Sequence, residues 1–312
     1  MYTLSPDPHG SQGLTLPLQD FVNFKLIDTL RDEKDSSIYG ALYVYKGESL
    51  PNIPQFVIAF RGTKLKSETW EQDIKLDAKC MANTPHDSFR LQHAMNYVRE
   101  MVTSRARGAS VWLAGHSLGA AIALLAGKQM FKEGHFLETY LFNPPFCSNF
   151  IARWIENDTW SFGVFLVKSF AKAIISRSGK YHRDRAAQAH KAFLALSNWV
   201  PHLFVNPDDP VSSEYIHYFE NRQKMLEFGF EKVAIIASME TMRMALGIDS
   251  SSEAIHLIPS AILTINKVEF PGEIQGLCDK IRKMKLAHQL EQWRSPNSSF
   301  QSWDYKYQCR TL

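Results

Sequence analysis

The sequence has few of the features that mark secreted or metal-binding proteins. It has only four cysteines in 312 residues, and none of them forms a CxxC pair or a metal-like spacing. We therefore expect free thiols in a reducing compartment, with two long-range disulfides as the alternative. The N-terminus has no basic segment followed by an apolar run, so it does not resemble a secretory signal. Together these absences predict a cytoplasmic protein.

Long apolar runs and a strong charge bias are also absent. No uninterrupted apolar run reaches the roughly 18 residues of a membrane span, so we expect no transmembrane segment. The net charge is only +3, and no stripe of Lys and Arg is interleaved with aromatic residues. This excludes the usual signature of a nucleic-acid-binding protein. The hydrophobic content of 45% is enough for a sizeable core.

Short β-rich segments alternate with segments of helical periodicity. The helical segments are 88–102, with apolar residues spaced for one helix face, and 118–131, which is rich in Ala and Leu. The strand candidates are 39–47, 56–60, 110–115, 137–145, 202–207 and 261–267. This alternation predicts an α/β fold with a mostly parallel sheet and helices on both faces. We expect one domain over residues 1–312, with mainly helical insertions at 146–200 and 218–255.

The stretch "VWLAGHSLGAA" (111–121) has the pattern Gly-x-Ser-x-Gly between a predicted strand and a predicted helix. This is the pattern of a nucleophile elbow, a sharp turn that lifts a serine hydroxyl above the sheet edge. Ser117 is therefore the candidate nucleophile, with a glycine-rich structural turn as the alternative. Leu118, at the helix N-terminus, would offer its backbone N–H to an oxyanion. Adjacent residues on an elbow point in different directions, so we interpret His116 as structural.

An acid and a base are expected downstream, because this type of triad runs Ser, then Asp or Glu, then His along the chain. Asp208 and Asp209 follow a predicted strand in "HLFVNPDDPV", and a solvated turn is the alternative for both. Three histidines follow the acid: His217, His256 and His288. His288 lies after the last predicted strand, where a loop could return it over the elbow, so we favour it as the base.

Four segments in order resemble the class 3 lipases, the fungal-lipase-like branch of the α/β-hydrolases. They are "FVIAFRGT" (56–63), "LAGHSLGAA" (113–121), "LFNPP" (141–145) and "VNPDDPV" (205–211). The resemblance implies an α/β-hydrolase fold and an oxyanion hole formed by Thr63 and Leu118. Ala114 and Ala120 depart from the threonine and glycine that many members have there, but both are small enough for the elbow to form.

Three further segments resemble a plant subgroup of lipase-like proteins, some of which are labelled GDSL esterase/lipase. They are "FVNFKLI" (21–27), "IHLIPSA" (255–261) and "AHQLEQW" (287–293). The resemblance favours Asp209 over Asp208 as the acid and supports His288 as the base. The sequence has no Gly-Asp-Ser-Leu elbow, so the GDSL mechanism does not transfer.

The predicted function is hydrolysis of carboxylic esters, with acyl lipids as the expected substrates, by Ser117, Asp209 and His288 through an acyl-enzyme. No metal or organic cofactor is expected. Two alternatives use the same fold: an inactive hydrolase kept as a binding protein, and an acyltransferase or thioesterase with the same triad. The apolar segment 160–175, which carries Lys168 and Lys172, is either a lid that contacts lipid surfaces peripherally or a helix that covers the sheet.

Overall fold

A computed structural model describes residues 23–62 except 34 and 49, then 89–146, 169, 180–230, 233–234, 257–267, 276–294 and 299–307. Within these residues, eight strands form one sheet in the order in which they occur along the chain. The strands are β1 (Phe24–Arg31), β2 (Ile38–Tyr45), β3 (Phe56–Phe60), β4 (Val111–His116), β5 (Glu138–Phe142), β6 (His202–Val205), β7 (Ala261–Lys267) and β8 (Ser299–Tyr305).

The centre of the sheet is parallel and its edges are antiparallel. Strands β3 to β7 pair parallel to one another, whereas β1 pairs antiparallel with β2, β2 with β3, and β8 with β7. The α/β-hydrolase fold class predicted from the sequence is thereby confirmed. The carboxyl ends of the parallel strands meet at one edge of the sheet, which is where ligands bind in such folds.

The described helices connect these strands. An α-helix at Phe89–Glu100 (α1) continues into a π-helix at Met101–Arg105 and precedes β4. The helix Leu118–Lys132 (α2) follows β4 directly. The later helices are α3 (Lys180–Ala195), α4 (Glu214–Glu227), α5 (Leu277–His288) and a 3₁₀ turn at Leu290–Trp293.

Alternate residues of the central strands point to opposite faces of the sheet, because the side-chain period of a strand is two. On one face, Ile58 and Leu113 of neighbouring strands join a core that includes Ala94 and Val98 of α1 and Ala123 of α2. The other face carries a smaller cluster that includes Val57 and Ala114. The main core therefore lies beneath α1 and α2, and it fixes the start of α2 relative to the ends of β3 and β4.

Several expectations fall on residues outside the described part, including the segment 160–175 apart from residue 169, three of the four cysteines and His256. Cys278 is within it and is an exposed free thiol. No helix among the described residues is long and apolar enough to cross a membrane.

Candidate active site

Ser117 occupies the turn between β4 and α2. Its φ of 55° and ψ of −127° place a non-glycine residue in a sparsely populated backbone region. The backbone N–H of Ser117 donates to the carbonyl of Phe142 on β5 at 3.0 Å, which holds the turn against the neighbouring strand. This geometry matches the strained nucleophile elbow that the sequence predicts.

The two glycines of the elbow allow backbone segments to approach closely. A Cβ on Gly115 would lie 2.3 Å from the carbonyl oxygen of Gly119, and a Cβ on Gly119 would lie 2.3 Å from that of Phe60. Both distances are far below van der Waals contact, and backbone atoms cannot swing aside as a flexible side chain can. The spacing of the two glycines therefore reflects how tightly α2 begins against β3 and β4.

Ser117, His288 and Asp209 form a continuous hydrogen-bonded chain. The Ser117 hydroxyl donates to Nε2 of His288 at 2.9 Å, and Nδ1 of His288 donates to Oδ1 of Asp209 at 3.1 Å. An ionised carboxylate only accepts hydrogen bonds, so Nδ1 carries the ring proton and Nε2 is left as an acceptor for the hydroxyl. All three residues are buried, with exposed fractions of 5%, 4% and 0% respectively.

The Asp209 carboxylate has donors on both oxygens. Oδ1 also accepts the backbone N–H of Val211 at 3.0 Å, while Oδ2 accepts the Ser212 hydroxyl at 2.6 Å and the Asn143 amide at 2.7 Å. Burial acts to raise the pKa of Asp209, but the electrostatic effect of the nearby His288 and the hydrogen bonds from His288, Ser212 and Asn143 outweigh it and lower that pKa. Asp209 is thus held as a carboxylate facing the imidazole.

Asp208 points to a different partner. Its carboxylate forms an ion pair with Nζ of Lys283 on α5 at 2.8 Å, in a partly exposed position. Of the two adjacent acids, Asp209 is the one in contact with His288. His217, weighed as an alternative base, lies on α4, and His288 is the histidine that the structure brings to Ser117.

His116 contacts the backbone of the histidine beside it in space. Its Nε2 donates to the carbonyl oxygen of His288 at 2.7 Å, since a carbonyl can only accept, and the two rings lie 5.1 Å apart. Burial of the ring, followed by the proximity of His288, lowers the pKa of His116 to about 3. His116 is therefore a neutral donor that fixes the end of α5, a more specific role than the packing expected from the sequence.

The expected oxyanion site lies only partly within the described residues. Leu118 is the first residue of α2, so its backbone N–H has no acceptor inside the helix. Gly62 passes against the elbow: a Cβ added to it would lie 3.0 Å from Cβ of Ser117 and 3.3 Å from the nitrogen of Leu118. Thr63 is the next residue along the chain and lies outside the described part.

Four residues around the triad were not identified from the sequence as contributors to the site. Ser212 donates to the acid, and Asn143 donates to the acid and to the carbonyl of Ala287. The indole N–H of Trp293 donates to Oδ1 of Asn143 at 2.8 Å, and Gln292 donates to the same oxygen at 3.4 Å. Asn143, Gln292 and Trp293 lie in segments that carried the family resemblance, "LFNPP" and "AHQLEQW", which was the only available signal.

A cavity of about 660 Å³ lies elsewhere in the structure. Its lining includes Val111 and Trp112 at the start of β4, and Leu137 and Glu138 at the start of β5. Ser117 follows the opposite, carboxyl end of β4, so this cavity is separate from the triad. No cluster of three or more His, Cys, Asp or Glu side chains suited to a metal ion occurs among the described residues.

Comparison with known proteins finds a matching family model and a relative by sequence. The model of the family described as Lipase (class 3) matches residues 57–162, which include the elbow. A GDSL esterase/lipase of Arabidopsis thaliana is 38% identical over 303 residues, covering 92% of this chain and 82% of that protein. Despite that label, the elbow of this chain is Gly115–His116–Ser117–Leu118–Gly119.

Solved lipase structures show more distant similarity. A lipase from Rhizopus microsporus var. chinensis is 18% identical with a TM-score of 0.33, covering 61% of this chain and 55% of that one. The Lip2 lipase from Yarrowia lipolytica is 17% identical with a TM-score of 0.32, covering 64% and 63%. The chain thus spans less than two thirds of either lipase, and likenesses at this level carry no functional weight.

Proposed function

The chain belongs to the class 3 lipase family, within a plant lipase-like subgroup, and we propose that it hydrolyses acyl esters with Ser117 as nucleophile, His288 as base and Asp209 as acid. The observation that carries the proposal is the buried chain of hydrogen bonds from Ser117 through His288 to Asp209. Membership of this family makes the protein a carboxylic ester hydrolase. The triad, the oxyanion donors and an acyl-lipid substrate are the parts that we propose.

In the first half-reaction, Oγ of Ser117 bonds to the ester carbonyl carbon while its proton passes to Nε2 of His288. Asp209 stabilises the imidazolium through the bond to Nδ1. The backbone N–H groups of Leu118 and Thr63 donate hydrogen bonds to the tetrahedral oxyanion, and each donor stabilises the transition state by about 3 kcal/mol. The bond to the alcohol oxygen then breaks, and the alcohol leaves with the proton from His288.

In the second half-reaction, a water molecule attacks the acyl-Ser117 carbonyl and transfers a proton to His288. The carbonyl carbon–Oγ bond breaks, Oγ takes the proton back and the carboxylic acid is released. The strained elbow supports this cycle, because it presents Oγ to substrate and to His288 at the same time.

The extent of the sheet supports one catalytic domain. Its first strand begins at residue 24 and its last strand ends at residue 305, so segments from both ends of the chain join one sheet. We propose that 146–200 and 218–255 are insertions in this domain. For 160–175 the two proposals remain a lid that contacts lipid surfaces and a helix that covers the sheet. We propose acyl lipids as the substrate because the family match is to lipases.

Ester hydrolysis by purified variants tests the proposal. Ser117→Ala and His288→Ala should lower kcat by about 10⁴-fold or more on p-nitrophenyl esters of graded chain length, and Asp209→Asn by a comparable factor. Asp208→Asn is the matched control, because it makes the same change one residue away in a carboxylate that faces Lys283. We expect this control to keep wild-type kcat.

Two results would contradict the proposal: full activity in Ser117→Ala, or equal losses in Asp208→Asn and Asp209→Asn. A wild-type protein that binds esters without turning them over would favour the inactive binding protein. Analysis of products with an added alcohol acceptor, and parallel assays with thioesters, would reveal an acyltransferase or a thioesterase.

A further inference from the structure

Asn143 has a backbone conformation that few side chains tolerate. It follows the last residue of β5, has a φ of 48° and is fully buried. Its backbone N–H donates to the carbonyl of Phe204 on β6 at 2.8 Å, which fixes the residue to the rigid centre of the sheet. Asparagine and glycine are the residues that enter this left-handed region most readily.

The side-chain amide of Asn143 is oriented by the chemistry of its partners. Nδ2 lies 2.7 Å from Oδ2 of Asp209 and 3.0 Å from the carbonyl of Ala287, both of which only accept hydrogen bonds. Oδ1 lies 2.8 Å from the indole N–H of Trp293, which only donates. The opposite orientation of the amide would set acceptor against acceptor and donor against donor.

One amide thus connects the two elements that carry the acid and the base. Its two N–H bonds reach the carboxylate of Asp209 and the residue that immediately precedes His288. The acceptor side holds the 3₁₀ turn after His288, through Trp293 and, at 3.4 Å, through Gln292. Gln292 is itself bonded by Asn206 at 2.6 Å, next to the acid loop.

We propose that Asn143 is a positioning residue, which fixes the Asp209 carboxylate and the end of helix α5 in the one arrangement that aligns His288 with Ser117. The proposal rests on the proposed function, since alignment matters for rate only if these three residues form the triad. Asn143 acts through Asp209 and Ala287 and need not contact the substrate. A misplacement of about 1 Å in such a group can lower the rate by about 100-fold.

Two substitutions separate the roles of the backbone and the amide. Asn143→Gly keeps a residue suited to positive φ and removes the side chain. Asn143→Asp keeps the shape but replaces the N–H donors by a carboxyl beside Asp209. Asn23 provides matched controls, because it is an exposed asparagine with the same φ of 48° at the start of β1. Asn23→Gly and Asn23→Asp should leave kcat unchanged.

For Asn143→Gly we expect kcat per active site to fall by about 10- to 100-fold with KM little changed. For Asn143→Asp we expect, in addition, that the acid limb of kcat/KM moves away from its wild-type position, because a second buried carboxyl beside Asp209 shares a proton with it and changes the titration of the pair. The described titratable groups facing the His288 ring are Asp209 and His116, and the pKa of about 3 keeps His116 neutral over this range. The moving limb therefore reports on the His288–Asp209 pair.

Titration with a fluorophosphonate counts intact active sites and removes the effect of unfolded protein from kcat. If both Asn143 variants keep wild-type kcat per site and the wild-type acid limb, the proposal is wrong. If Asn143→Asp does not fold, the proposal is tested by Asn143→Gly alone, and a wild-type kcat per active site in that variant would contradict it.

A failure of the triad itself gives a different result. If wild type and Ser117→Ala hydrolyse esters equally, the proposed function fails, whereas Asn143 can still be examined by NMR. The titration of the His288 ring should then differ from wild type in Asn143→Asp, or in Asn143→Gly if the Asp variant does not fold, because the contacts that position Asp209 have changed. An unchanged titration would overturn the role of Asn143.

Discussion

Replacing His116 by glutamine should make the stability of the protein less sensitive to acid. Nε2 of His116 donates to the carbonyl of His288 at 2.7 Å, and the ring is held neutral, with its pKa lowered to about 3 from the ordinary value of 6.5 by burial and then by His288. The amide nitrogen of glutamine occupies a position close to that of Nε2 in histidine. His116→Gln can therefore keep the donor while removing the titration.

The size of the effect follows from the two protonation equilibria. Between pH 6.5 and about 3, the unfolded chain binds a proton at His116 that the folded protein excludes. The free energy of unfolding that neutral His116 contributes is fully present above pH 6.5. It therefore falls as the pH is lowered, by no more than about 1.4 kcal/mol per pH unit. Because the ring is only partly buried, we expect a loss of about 1–2 kcal/mol between pH 6.5 and about pH 5.

Urea unfolding near pH 7.5 and near pH 5 measures this loss in each variant. The free energy of unfolding of wild type should fall between the two conditions by about 1–2 kcal/mol more than that of His116→Gln. His116→Phe, which removes the donor and leaves the His288 carbonyl without it, should cost about 1–3 kcal/mol at the higher pH. Equal losses in wild type and His116→Gln would refute the inference that His116 is held neutral.

Two further substitutions test the packing of the elbow and the hydrogen bonding of the Asp209 carboxylate. Gly119→Ala would place a Cβ 2.3 Å from the carbonyl oxygen of Phe60, so we expect a lower thermal midpoint and a loss of about 100-fold in kcat. Gly276→Ala, where no described atom beyond the chain neighbours lies within 4 Å of the added Cβ, should leave both unchanged, and equal effects would contradict the packing argument. Ser212→Ala removes a hydrogen-bond donor that lies 2.6 Å from Oδ2 of Asp209. The pKa of Asp209 is lowered in the folded protein, so the stability that the ionised carboxylate contributes is lost as the pH falls. The midpoint of acid unfolding should move to higher pH, and an unmoved midpoint would show that Ser212 does not stabilise the carboxylate.

The central strands and the elbow could be predicted because their signals are local. Parallel strands buried on both faces appear as short apolar runs, such as "FVIAF" of β3, and the elbow places its chemistry within five residues. The edge strands β1 and β8 were missed. β8, "SFQSWDY", is polar in sequence and exposes Phe300 and Trp303, so its place in the sheet depends on pairing with β7.

The support around the triad could not be predicted because its contacts are distant along the chain. Asn143 lies 66 residues before Asp209 and 144 before Ala287, and only folding shows that one amide reaches both. His288 was expected after the last predicted strand, where a loop could return it over the elbow, and the structure makes it the last residue of α5. The backbone carbonyl at that helix end became an acceptor for His116, a partner that no sequence pattern indicates.

The most direct test of the account is covalent labelling with a fluorophosphonate, followed by mass spectrometry of the peptides. We predict one adduct, on Oγ of Ser117, with no labelling of Ser117→Ala and slower labelling of His288→Ala, because the base that activates the hydroxyl is missing. An unlabelled wild-type protein, or equal labelling of wild type and Ser117→Ala, would contradict the claim that Ser117 is the nucleophile.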